Sequence, residues 1–382
     1  MSFNPFIQQT PAMKTIVREG AVDCLSAELA LLRVTRPLLV CSASVLRSPL
    51  YVRVKTQLEG LAVLEASAIP AHSAVDLVER LAAQSAGHRV DVIIAVGGGS
   101  CSDTAKAVAL LLGEGGRLAD HATRFTPPSD LRAPLLLQPK LPIVTIPCTA
   151  SGAEVTSSLG IRAADGSKLL FTDPQLASRL VLLDPRANLD VPVALMLSTG
   201  MNGLAHCIEG LYSKVRSPLA EVLAIDGISR FARVMPALRR SPGDVVQRGE
   251  LMVAAHLSGL VLVNARTCLH HAICHAIGSV TGVGHGDANA VMLPHALGFN
   301  IEAVQPQLDR AAAALGRGSD FIAGLRELAA ELEVPTRLRD IGVPHETLAH
   351  IAIKTLSERG LFFNPRAVRN AQEMLDLLEQ AW

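Results

Sequence analysis

Short, continuously apolar runs alternate with amphipathic stretches through the first half of the chain. Pro37-Leu38-Leu39-Val40-Cys41-Ser42 reads as a buried strand, and Leu61 to Ala66 as a second. Val75 to Gln84 has helical spacing, with apolar positions at Val75, Leu77, Val78, Leu81 and Ala82. Val92 to Val96 and Leu141 to Pro147 are further runs of strand length. Strands that are apolar at every position, alternating with helices, predict a mainly parallel sheet covered on both faces. Leu159-Gly160-Ile161, a turn at Ala164-Asp165-Gly166-Ser167 and Leu169-Leu170-Phe171 predict a hairpin. Val181-Leu182-Leu183 is the last strand-like run.

After Asp184-Pro185 the pattern turns helical, and Asp190-Val191-Pro192 carries an N-cap with proline in the first turn. The expected organisation is therefore an α/β domain over residues 1–187 and an all-helical domain over residues 188–382. Pro127-Pro128 through Pro142 reads as a surface excursion.

One strand end has a special composition. Val92 to Val96 runs into Gly97-Gly98-Gly99-Ser100 and straight on into the helix-like run Ala107 to Leu112. Bare backbone N–H groups at a helix N-terminus, with no Cβ in the way, suit a diphosphate. The spacing is neither Gly-x-Gly-x-x-Gly nor Gly-x4-Gly-Lys-Ser/Thr.

Composition narrows the classes. Half of the 382 residues are hydrophobic (49%) and only 3% aromatic, so large cores must be built from Ala, Val, Leu and Ile. Formal net charge is zero with dispersed Lys and Arg, which argues against a nucleic-acid partner or a basic membrane face. Met1 to Lys14 lacks the pattern of a secretory leader, and no apolar run is long enough to span a bilayer. Seven dispersed cysteines without a Cys-x-x-Cys pair read as reduced, packed thiols of a cytoplasmic protein.

The helical half concentrates histidines. Asn202 and His206 lie four apart, as do His271 and His275, so each pair shares one helix face. His285 follows between Gly284 and Gly286, in what reads as a glycine-rich loop. Three imidazoles and an oxygen ligand could hold one divalent ion, although a neutral amide is a weak partner for a cation.

These motifs occur in a recognisable order: GGGSCSDTAK, Pro147 to Thr156, Gly200 to His206, HHAICHAIG and Gly284-His285-Gly286. Together they resemble the iron-containing, group III alcohol dehydrogenase family, from about residue 12 to the C-terminus. The resemblance implies a Rossmann-like, dehydroquinate synthase-like α/β domain with a mainly parallel sheet, followed by an all-α domain. It implies hydride transfer between NAD(P) and an alcohol or carbonyl substrate, in a protein expected to be a homodimer. Gly98, Gly99 and Ser100 resemble the family's diphosphate loop, with Asp103, Thr149 and Lys168 as further cofactor contacts. Asn202, His206, His271 and His285 resemble its ligands for iron or zinc, and His275 the histidine beside the nicotinamide. His206, His271 and His275 are the candidate catalytic groups.

Asn202 stands where the family usually has aspartate. That feature and the pair His270-His271 are similar to the maleylacetate reductase branch, whose members work without a metal. Asp103 and the insertion from Gly113 to Lys140 are similar to the metal-dependent branch instead. NAD-preferring members end the second strand with aspartate; Ser42 occupies that position here, so NADP(H) is expected to be accepted. A dehydroquinate synthase-like lyase and a non-catalytic cofactor-binding protein stay open as alternatives.

Overall fold

Side chains alternate across a strand, so a run that is apolar throughout must be covered on both faces. The computed structural model, which describes residues 6–382 except Gln9, His72, Pro128 and Ser129, meets that requirement with a six-stranded parallel sheet. Its strands are β1 (Lys14–Val17), β2 (Pro37–Ser42), β3 (Leu64–Ile69), β4 (Val92–Gly97), β7 (Ile143–Pro147) and β10 (Leu180–Leu183). Two short pairs complete the strands: β5 (Arg124–Thr126) with β6 (Asp130–Arg132), and β8 (Ser158–Arg162) with β9 (Lys168–Thr172).

Leu38, Val40, Ile93 and Ala95 face one core, shared with helices α3 (Val75–Gly87) and α4 (Gly99–Glu114). Leu39, Cys41, Ile94 and Val96 face the other, shared with α1 (Leu25–Leu32) and α2 (Pro49–Gln57). The sheet order is β1-β10-β7-β4-β2-β3, parallel at every pairing. From β2 the chain moves outward to β3, whereas from β4 it moves the other way to β7. The carboxyl ends of adjacent β2 and β4 thus form the topological switch point, where ligands of such sheets bind.

The 159–171 hairpin is present: β8 and β9 pair antiparallel, with Gly166 at φ 82° in the turn. Several element boundaries differ from the sequence reading, those of α3, β4, β7 and β10 by one to three residues. The second apolar run becomes a strand only from Leu64, and α4 begins at Gly99, with no loop between the glycines and the helix. The excursion before Pro142 leaves Leu135 and Leu137 exposed, and it is anchored at its end by buried Lys140, paired with Glu114 and Asp173.

The chain forms two compact units. The α/β unit comprises Pro11–Arg124 and Arg132–Pro192. The other comprises Val193–Trp382, with described residues before Pro11 and within Phe125–Leu131. From Val193 onward every described element is helical: α5 (Val193–Tyr212), α6 (Pro218–Arg240), α7 (Val245–Ala265), α8 (Leu269–Thr281), α9 (His285–Leu315), α10 (Phe321–Leu332), α11 (Leu348–Thr355), α12 (Gly360–Phe363) and α13 (Ala371–Ala381). Helix α5 packs against α6, α7 and α9 and is buried from Gly200 through Tyr212. A helix enclosed on all sides is ordinarily apolar all round, so its polar residues stand out: Asn202 and Glu209 are hydrogen-bonded inside, whereas His206 Nδ1 is buried without a hydrogen-bond partner among the described residues.

The cysteines are free thiols, all buried except half-buried Cys24. Among the described residues no single helix is long and apolar enough to cross a membrane.

Candidate active site

Three strand ends converge on the glycine turn. Gly97 closes β4 at φ 145°, a conformation open to glycine, and a Cβ there would lie 2.7 Å from Cys101 Sγ and 3.2 Å from Ser42 Oγ. Gly98 is the N-cap of α4, and no side chain caps the helix. A Cβ on Gly98 would meet Thr149 Oγ1 at 3.3 Å, just past the end of β7. The turn therefore brings together Ser42, Gly98, Gly99, Ser100 and Thr149, with the uncapped N–H groups of a sixteen-residue helix at its centre.

Two other expected contacts have evident local work. Asp103 Oδ2 accepts the Gly160 N–H at 3.2 Å, fastening α4 to β8. Lys168 opens β9 and lays its stem across the bare backbone of Gly160.

Lys106, three residues beyond Asp103, was not singled out from the sequence. It is fully buried and donates to Ala153 O at 2.5 Å, Thr156 Oγ1 at 3.0 Å and Ser158 O at 3.2 Å. Burial lowers its ammonium to about 8, opposed by Asp103 and Glu154. It pins the segment that follows Thr149. A lysine directly before the apolar run Ala107–Leu112 was the available signal.

In the helical unit five imidazoles form one array. His206 on α5 stacks on His271 of α8 (centroids 4.7 Å, 16° between planes). His275 stacks on His285 (5.2 Å, 19°), and His271 lies 6.2 Å and 6.0 Å from that pair. His285 is not in a loop: it is the first residue of α9, with Gly284 as N-cap. Gly286 lies inside the helix because it abuts α5, where a Cβ would come 2.8 Å from Ser198 Oγ.

The hydrogen bonds of the inner pair fix its protons. Asn289 Nδ2 donates to the His285 carbonyl at 2.7 Å and to Asn202 Oδ1 at 2.9 Å. A carbonyl only accepts, so both amides have one allowed orientation, and Asn202 Oδ1 is an acceptor. His271 Nε2, 3.1 Å from that oxygen, must be the donor. On its other side His271 Nδ1 lies 2.7 Å from Glu209 Oε2 and 3.3 Å from His270 Nδ1. His270 gives its Nε2 proton to the Asn289 carbonyl at 3.1 Å, which leaves its Nδ1 as an acceptor. With Glu209 as the carboxylate, His271 donates from both nitrogens and is an imidazolium.

Glu209 is fully buried and also accepts the His270 backbone N–H at 2.9 Å. Burial pushes its carboxyl up, while nearby His270 and backbone N–H groups act the other way. The residue was missed from sequence, although Asn202, His206 and Glu209 are spaced i, i+4, i+7 and share a face. The outer pair is more open. His275 Nδ1 lies 3.4 Å from Glu358 Oε2, a carboxylate that would hold its proton.

Burial lowers His206 well below the ordinary range and His270 to about 4, neighbouring histidine charge adding to both. His295 is likewise lowered to about 4 by burial, then by Arg326 and Arg337. In the unfolded chain these rings titrate near 6.5, so the unfolded state takes up protons first as pH falls. Stability is expected to be full above about pH 6.5 and to fall between there and about pH 4. Thermal melts across that range check this; a flat profile would mean the rings are not held neutral.

An uncapped glycine turn at a switch point and a buried imidazole array are the equipment of a dinucleotide-dependent oxidoreductase. Residues 12–185 match the family described as iron-containing alcohol dehydrogenase, and residues 196–382 its C-terminal region. The chain belongs to the iron-containing alcohol dehydrogenase family. It is 33% identical over 290 residues to the maleylacetate reductase of Pseudomonas knackmussii, covering 76% of this chain and 73% of that one. It is 29% identical over 374 residues to the 4-hydroxybutyrate dehydrogenase of Cupriavidus necator, covering 95% and 96%. The crystal structure of maleylacetate reductase from Agrobacterium tumefaciens superposes with TM-score 0.84 at 26% identity, over 100% of this chain and 99% of that one. The protein is thus an NAD(P)-dependent oxidoreductase acting on CH–OH groups, with small-molecule substrates, in a family that carries a divalent metal.

Proposed function

We propose that this enzyme reduces the carbonyl of a small carboxylate-bearing substrate with NAD(P)H, and that it does so without a bound metal ion. Two of its relatives are named for such substrates, maleylacetate and 4-hydroxybutyrate. The observation that carries the metal-free reading is the 3.1 Å contact of His271 Nε2 with Asn202 Oδ1, an oxygen that only accepts.

A divalent ion would have to be held by Asn202, His206, His271 and His285. That donor set does not suit one. His271 has no lone pair free, and Asn202 is neutral with its oxygen already accepting two hydrogen bonds. Among the described residues the one trio of His, Cys, Asp or Glu with ligand atoms within 4.8 Å is Glu209, His270 and His271, which already bond one another.

Bound NAD(P)H supplies the hydride. Gly98, Gly99 and Ser100 hold its diphosphate through backbone N–H groups and the α4 N-terminus, with Thr149 and Lys168 as further contacts. Ser42 puts no carboxylate at the end of β2, which supports acceptance of NADPH. The charge that Glu209 maintains on His271, with His206 stacked against it, stabilises negative charge developing on the substrate oxygen. His275, backed by Glu358, delivers the proton. His275→Gln is expected to lower kcat by about a hundredfold or more, with NADPH affinity within about twofold. Absorbance at 340 nm with 4-oxobutanoate reads the rate; unchanged kcat would remove His275 from the proton path.

We also infer a homodimer, supported by apolar Ile7, 89% exposed, beside half-exposed Phe6. Light scattering would then give about twice the 40.3 kDa chain mass.

A further inference from the structure

Helices α7 and α8 meet at 106° across three residues, Arg266 to Cys268, and the second helix carries His270, His271 and His275. Arg266 makes this bend at φ 66°, ψ 171°, in the left-handed half of backbone space that favours glycine. An arginine kept where glycine would be more comfortable points to a use for its side chain. That side chain is largely buried, which lowers its guanidinium, and among the described residues it has neither a hydrogen-bond nor an ion-pair partner.

A second arginine is near enough to feel its charge. Arg359, in the turn before α12, is lowered to about 10 by burial; the Arg266 charge adds to the effect and Glu358 opposes it. The two backbones are locked together. A Cβ on Gly360 would lie 2.5 Å from the Cys268 carbonyl oxygen, so only glycine allows this approach. Cys268 Sγ donates to Phe363 O at 3.5 Å, and the Leu269 N–H donates to Asn364 Oδ1 at 3.3 Å. The same turn carries Glu358, the partner of His275, so both arginines sit on segments that frame the imidazole array. Arg266 and Lys214 also line a cavity of about 510 Å³ whose walls include Val215, Val263 and Phe363.

We propose that Arg266 and Arg359 seat the substrate's carboxylate, making the enzyme select oxo acids and hydroxy acids over neutral aldehydes and alcohols. Two guanidiniums held near each other in a poorly hydrated place repel, and an anion between them relieves both. The planar fork matches a carboxylate, and apolar walls beside it suit a short carbon chain. This proposal rests on the reading that the imidazole array is where the carbonyl reacts.

The test compares kcat/KM for 4-oxobutanoate and butanal, two aldehydes of equal length that differ in the carboxylate. Wild type is expected to prefer the acid by about a hundredfold, and Arg266→Gly to lower that ratio about thirtyfold. Because glycine relieves the backbone at φ 66°, the melting temperature of this variant should not fall, which separates the effect from misfolding. Arg359→Gln should lower the same ratio, and Arg266→Lys should retain part of it. No preference in wild type, or equal losses on both substrates, would overturn the proposal. Malonate binding measured by calorimetry decides the point without turnover: about tenfold weaker binding in Arg266→Gly supports it, and equal binding refutes it. Failure of wild type to oxidise NADPH with any carbonyl would count against the oxidoreductase reading alone, and the malonate result would still judge the arginines.

Discussion

Gly99→Asp is expected to raise the Kd for NADPH about a thousandfold, a loss of about 4 kcal/mol, while the protein stays folded. The two halves of that expectation come from the same geometry. A Cβ on Gly99 would meet Ser151 Oγ at 3.5 Å and Ala153 Cβ at 3.6 Å, which is ordinary contact. An acidic side chain in the first turn of α4 favours the helix by about 0.3–1 kcal/mol, because the N-terminal N–H groups attract it. Those groups are the ones proposed to hold the diphosphate. The carboxylate would occupy the anion site from within and repel the incoming phosphates. Gly97→Ala would be a poorer test, since φ 145° and the 2.7 Å approach to Cys101 Sγ would disturb the fold itself. Fluorescence titration with NADPH, alongside a thermal melt, reads both halves. A Kd changed less than about threefold would place the diphosphate elsewhere.

The central strands of the sheet were legible because they are apolar on both faces. β2 occupies the residues the pattern suggests, and β4 extends one residue further to Gly97. β3 misled because Leu61 and Val63 are apolar for another reason: they pack against the core from the turn after α2, before the strand begins. β1 left a weak trace, being four residues at the sheet edge, exposed at both ends and half-buried between. The imidazoles were legible by spacing, but the groups that set their protons were not. Asn289 lies on a separate helix and reads as one polar residue among many until α9 is folded against α5 and α8. His285 was misplaced because glycines on either side suggest a loop; Gly286 serves close packing of α9 on α5 instead. Periodicity finds faces, whereas buried polar networks are decided by which faces meet.

Asn202→Asp is expected to create strong affinity for a divalent ion. Wild type should purify with little iron or zinc, and EDTA should leave its turnover intact. In the variant, the Asn289 Nδ2 bond to the new carboxylate is preserved, so the array should keep its packing. A full negative charge then stands 3.1 Å from His271 Nε2 in place of a neutral oxygen. At such distances a unit charge is worth about 4 kcal/mol even with effective screening, enough for about a thousandfold gain in Zn²⁺ affinity. The ion must also displace the proton on His271 Nε2, so binding should release a proton and tighten as pH rises. Calorimetry in buffers of different ionisation enthalpy measures the affinity and the proton together. If wild type instead carries a stoichiometric ion whose removal abolishes turnover, His271 cannot be the protonated donor inferred from Asn202 and Asn289. In that case the imidazole array is a metal centre, and the charge on the substrate oxygen is stabilised by the ion.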